Sequence, residues 1–172
     1  MRIAVGVCVL LVSPVACAPR AQPAQPNFAA PSTGDDAALA AVRSIHGGAG
    51  PWAVAGYRMG RYALARLGLA RGSTAIEVTH FSPPQVQYAC IADGAAAATG
   101  ASLGKLNLAR MDAPDTELRT VYRNRNTGEV LTLRLTSGFV ARFLDVPRER
   151  LAGAGREVLH LSDEEIFEIV AP

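Results

Sequence analysis

Apolar positions recur at helical spacing early in the folded region and then give way to strict alternation. Leu39, Val42 and Ile45 lie on one face of a helix that Asp35 or Asp36 can cap and Gly47-Gly48 stops, leaving His46 at its C-terminal end. Pro51 suits the first position of a second helix. Its stripe runs through Trp52, Gly56, Met59, Gly60, Ala63 and Leu67, with Arg58 and Arg61 on the far side. Ile76, Val78 and His80 alternate with Glu77 and Thr79, which predicts a strand over 73–81, broken by Pro83-Pro84. Residues 86–90 fit either a strand or the start of a helix. An Ala-rich helix over 90–98 ends at Gly100 and puts Cys90 and Asp93, three positions apart, on one face. A strand follows at 105–111. Residues 117–123 and 129–136 pair as a hairpin around Asn126-Thr127-Gly128, with Leu131, Leu133 and Leu135 alternating against Thr132 and Arg134. A short Arg-rich helix is expected after Pro147, and Ser162 with Glu165 forms a capping box for a last helix over 163–170. Helices packed on one face of a largely antiparallel sheet make a single compact α+β domain.

The first part of the chain reads differently. Residues 1–17 have the character of a targeting segment: Met1-Arg2, then an apolar run from Ile3 to Val12 that is too short for a membrane span of about 20 residues. Val15-Ala16-Cys17 resembles a lipoprotein box, although Pro14 stands where leucine is usual; a simple cut near Ala16 or Ala18 is the alternative. Either way the expectation is an exported protein of the periplasm or cell envelope, with Cys17 as the site of a lipid anchor in the first case. Residues 18–35, rich in Pro, Ala and Gln, read as an extended tether, and 36–172 as the folded domain.

Composition narrows the chemistry. With 49% hydrophobic and 19% charged residues among 172, one packed core is expected. A net charge of +2 without a basic, aromatic-laced cluster speaks against nucleic acid as a partner. Of the three cysteines, Cys8 and Cys17 fall in the targeting segment, so Cys90 has no partner for an internal disulfide. Lys105 is the one lysine among 17 basic side chains. A thiol and an amine that can lose its proton, separated by a glycine-rich turn, suggest a site. Gly100-Ala-Ser-Leu-Gly-Lys105 falls short of a phosphate-binding loop: it lacks one residue, and Leu106 replaces the Ser/Thr that would reach magnesium. As metal ligands, His46, His80 and Cys90 suit zinc, nickel or iron. Alternatively, Cys90 acts as a nucleophile, Asp93 or His46 orients or deprotonates it, and Lys105 binds an anionic or carbonyl substrate. His160 reads as structural.

The stretch from Cys90 through Asp93, Thr99, Gly100, Ser102, Gly104, Lys105 and Asn107 to Leu108 resembles the pattern of the E-type component of formylmethanofuran dehydrogenase and its stand-alone relatives. His46-Gly-Gly-Ala-Gly-Pro51, then Gly56-Tyr57-Arg58, resembles the family's H-G-H-x-C-P followed by G-Y-R, and 161–167 its closing acidic helix. The resemblance implies a metal-binding cleft holding His46 and Cys90, with Tyr57, Arg58, Thr99 and Ser102 shaping its wall, and a homodimer. The family's second histidine and first cysteine fall here on Gly48 and Gly50. His80 is then the candidate for the missing nitrogen, and loss of those ligands suits a more apolar pocket for a bulkier, metal-containing guest.

Overall fold

The computed structural model describes residues 34–170. The expected targeting segment and all of the tether except Gly34 and Asp35 lie outside them. Helix α1 (Gly34–His46) is followed at once by α2 (Pro51–Arg66), then strand β1 (Ile76–Ser82), helix α3 (Val86–Thr99) and strand β2 (Leu108–Asp112). The hairpin β3 (Arg119–Asn124) and β4 (Val130–Leu135), helices α4 (Ser137–Phe143), α5 (Leu151–Val158) and α6 (Asp163–Ile166), and strand β5 (Phe167–Val170) complete the domain.

The five strands lie in the order β2-β1-β3-β4-β5. All neighbours are antiparallel except β1 and β2, which run parallel because α3 crosses over between them. Alternation decides which side of the sheet is covered. Ile76, Val78, His80 and Ser82 of β1 are buried, as are Tyr122 of β3 and Leu131, Leu133 and Leu135 of β4. Their neighbours in sequence point to the open face, where Arg119 lies over the Phe81 ring and Arg134 pairs with Glu168. The fold is therefore α+β, with a mostly antiparallel sheet backed by helices on one face.

Among those helices α2 and α3 pack closest. A Cβ added at Gly94 would sit 1.8 Å from the Ala53 carbonyl oxygen, and one at Gly56 2.2 Å from that of Ile91. Only glycine allows this backbone-to-backbone approach, and Gly56, read in sequence as a close-packing position, has that role. Two elements depart from the sequence reading. The capping box is complete, with Glu165 N–H donating to Ser162 Oγ and Ser162 N–H to Glu165 Oε2. Yet α6 lasts one turn, because Phe167 turns extended (φ −144°, ψ 164°) and Phe-Glu-Ile-Val adds a fifth strand on β4. Helix α4 was not expected; Thr136 caps it by accepting from Phe139 N–H, and it delivers Phe139 and Phe143 to the core.

Candidate functional site

His46 is the last residue of α1, and Gly47 in a left-handed conformation (φ 81°) ends the helix behind it. The Gly47 N–H closes on Arg43 O at 2.9 Å, fixing the turn from which the imidazole projects. Cys90 and Asp93 stand on neighbouring turns of α3, which settles 86–90 as helix. The three side chains form a chain of contacts. Asp93 Oδ2 accepts from His46 Nδ1–H at 2.8 Å, and His46 Nε2 lies 3.2 Å from Cys90 Sγ. Because a carboxylate can only accept, Nδ1 carries the proton and Nε2 presents its lone pair toward the sulfur. The thiol carries one proton and has two acceptors in reach, His46 Nε2 and, at 2.9 Å, Val86 O. Burial, reinforced by the Asp93 charge, pushes Cys90 up to about 11.

This cluster stands between two hollows. The larger, about 480 Å³, is bounded by His46, the 48–53 segment, Gln87, Cys90, Phe143 and Leu144, and by Val146, Arg148 and Leu151 across from them. Trp52, on its wall, is fixed by Nε1–H donating to Phe143 O at 2.8 Å and by edge contacts with Tyr88 and Phe139. The smaller hollow, about 290 Å³, shares His46, Val86 and Cys90 and adds Asp93, Leu103 and Arg110. Gly48 and Gly50 both line the larger one. A side chain at 48 would meet nothing within 4 Å, and one at 50 only Leu151 at 3.7 Å, so the space of two ligands is open.

The other expected site residues have different occupations. His80 is fully buried on β1: Nε2–H donates to Tyr88 O at 3.1 Å and Thr120 Oγ1–H donates to Nδ1 at 2.9 Å. Both ring nitrogens are thus engaged inside the core, and His80 does not supply the nitrogen missing at Gly48. Lys105 Nζ donates to Gly100 O at 2.7 Å, at the C-terminal end of α3 rather than beside Cys90. Thr99 Oγ1 is buried between Ala95 O and Ala101 N–H. Ser102 enters through its backbone N–H, held by Asn107 Oδ1, while Asn107 Nδ2 reaches Ile76 O. The motif 90–108 therefore divides: Cys90 and Asp93 face the hollows, whereas Thr99 to Asn107 tie the end of α3 to the sheet. Arg58 is a clasp, donating to the carbonyls of Val158, Leu159 and Leu161 and pairing with Asp163 at 2.7 Å. Tyr57 packs against the core. Sequence reading missed Arg148, Gln87 and Leu151, which lie on elements with no pattern linking them to Cys90.

For a transition metal the donor set fits in part. A neutral imidazole nitrogen and a thiol face each other, and a carboxylate holds the imidazole's far side, the arrangement that fixes a ligating histidine. Among the described residues no group of three or more His, Cys, Asp or Glu side chains converges on one point. His46 and Cys90 would hold a metal whose other positions come from a guest or solvent, and such a metal supplies Lewis acidity there.

An α+β domain with a thiol, an imidazole and a carboxylate in series at the mouth of an apolar hollow is thereby defined. The family model described as FmdE, Molybdenum formylmethanofuran dehydrogenase operon, matches residues 45–168, well over half of the chain, and the chain belongs to that family. No curated protein matches it.

Proposed function

We propose that this is an exported domain that binds a transition metal, or a small ligand containing one, through His46 and Cys90. Membership in the FmdE family supports a metal-related role. The observation that carries the finer reading is the 3.2 Å approach of His46 Nε2 to Cys90 Sγ, with Asp93 fixing which nitrogen is bare. Imidazole and thiolate favour zinc, nickel or iron over calcium or magnesium. Two protein donors beside a hollow opened by Gly48 and Gly50 suit a metal that arrives with its own organic ligand.

Elemental analysis of protein purified from its native envelope tests this. Metal should be present in stoichiometric amount, and both His46→Ala and Cys90→Ala should abolish its retention; unchanged metal content in either variant ends the reading. Metal uptake must displace the thiol proton, which His46 Nε2 and Val86 O both lie close enough to accept. Since that thiol is pushed up to about 11, affinity should rise about tenfold per pH unit from pH 6 to 9, read by chelator competition.

The second reading, Cys90 as nucleophile with His46 and Asp93 as its relay, draws on the same geometry. Against it stands the thiol's upward displacement, which leaves little thiolate at neutral pH. Alkylation separates the two: a thiol protected only when metal is present is a ligand, and one that reacts rapidly with or without chelator is a nucleophile. Association of two copies, which the family resemblance implies, is read by light scattering.

A further inference from the structure

The larger hollow has a charge pattern that names the class of its guest. No carboxylate among the described residues lines it. Apart from the neutral imidazole of His46, the ionisable basic residue on its wall is Arg148, whose exposed side chain makes no hydrogen bond or ion pair among the described residues. Nearby Arg142 and Arg156, by contrast, are paired with Glu157 and Asp36. The remaining wall is largely apolar, with Trp52, Phe143, Leu144, Val146 and Leu151 prominent. Two helices also begin on this wall, α2 at Gly50–Ala53 and α3 at Val86–Gln87. Neither has a side-chain cap or an acidic residue in its first turn, whereas α6 has three acids and a full capping box. Their partial positive ends add to the field of Arg148 on a wall without carboxylates of its own, the closest named one being Asp93 behind His46.

We propose that this hollow takes a small organic anion: an apolar or aromatic body lying along Trp52 and Phe143, its negative group paired with Arg148. The volume of about 480 Å³ is that of an ordinary small-molecule site. The inference deepens the metal reading and rests on it only in placing the guest beside His46 and Cys90. A metal presented as the chelate of such an anion meets both halves of the wall, the donors and the cation.

Trp52 is the single tryptophan, so its fluorescence reports on this hollow alone. The test compares 8-anilinonaphthalene-1-sulfonate with N-phenyl-1-naphthylamine, which share an aromatic body and differ in charge, on the folded chain in the presence of chelator. The sulfonate should bind about tenfold more tightly, with energy transfer from Trp52. Arg148→Ala should bring the two affinities together, and Arg148→Lys should retain most of the difference. Arg148 is exposed, and an unchanged circular dichroism spectrum confirms that both variants are folded. Equal affinities in the unaltered protein, a preference that survives Arg148→Ala, or no binding of either probe overturns the proposal. Failure of the metal reading shows separately, as metal content indifferent to Cys90→Ala.

Discussion

Asp93 determines what His46 can do. With its carboxylate accepting from Nδ1–H, the imidazole keeps a lone pair on Nε2 facing Cys90. Asp93→Asn keeps the shape but can offer an amide N–H to Nδ1, which moves the ring proton to Nε2 and removes the lone pair from the sulfur side. The variant should remain folded and hold metal about 10- to 100-fold more weakly in a chelator competition; undiminished affinity would show that Asp93 does not set the tautomer. Lys105 gives the opposite expectation. Its amine serves the exposed Gly100 carbonyl, so Lys105→Met should leave metal binding unchanged and cost about 1 kcal/mol or less of stability by urea denaturation. These two residues show what was legible at this scale. Cys90 and Asp93 were readable because a spacing of three on a helix puts two side chains on one face whatever the tertiary fold. Lys105 was not, because its rarity in sequence says nothing about direction, and the single turn over Leu103–Lys105 leaves its amine against Gly100 O at the end of α3. Alternation in β1 already set His80 on the face of Ile76 and Val78; what it could not show is that Tyr88 O and Thr120, rather than a metal, satisfy the ring there.

At the scale of elements, the site depends on how tightly α3 lies on α2. Gly94 is one residue beyond Asp93, and its missing side chain leaves Ala53 O, on the wall of the hollow, free to approach. Gly94→Ala cannot be absorbed by a rotamer change, because the clash is with backbone on both sides. The helices must separate, carrying Cys90 and Asp93 away from His46. A loss of about 3 kcal/mol in chemical denaturation is expected, together with weaker metal retention; a variant as stable as the parent would mean the crossing is looser than the 1.8 Å approach implies. The helical stripe of α2 and the alternation of β1 and β4 made the architecture readable, since each periodicity reflects a buried face. The end of the chain was not, because a capping box specifies where a helix starts and not how far it continues. Phe167 to Val170 are few, β-prone at Phe167, Ile169 and Val170, and free to pair, and the open edge of β4 decides for strand over helix. Helix α4 escaped notice for a related reason: seven residues beginning Ser-Gly have little intrinsic helicity, and Phe139 and Phe143 seat it through contacts with each other and with Trp52.

For the molecule as a whole, His80 couples the sheet to solution pH. It is buried where α3 lies over β1, with Tyr88 O on one side of the ring and Thr120 on the other. Burial, the largest influence, lowers it from 6.5 to about 4, and Arg110 acts in the same direction. In the unfolded chain the ring takes its proton near pH 6.5; in the folded chain it resists until about pH 4. Across that interval the unfolded state holds the extra proton, so stability is complete above pH 6.5 and falls as the solution is acidified toward 4. The displacement corresponds to about 3 kcal/mol in total. His80→Gln offers an amide N–H to Tyr88 O and a carbonyl to Thr120 without a titrating group. Glu165, whose carboxylate is held low chiefly by the Ser162 backbone N–H, loses its support on further acidification in both proteins and drops out of the comparison. Urea midpoints measured at pH 7 and pH 4 should therefore diverge, with the parent losing about 3 kcal/mol more than the variant over this range. Parallel losses would mean that the ring stays neutral in both states or that solvent reaches it before the fold opens, and β1 and α3 would not be clamped together as the two hydrogen bonds on His80 require.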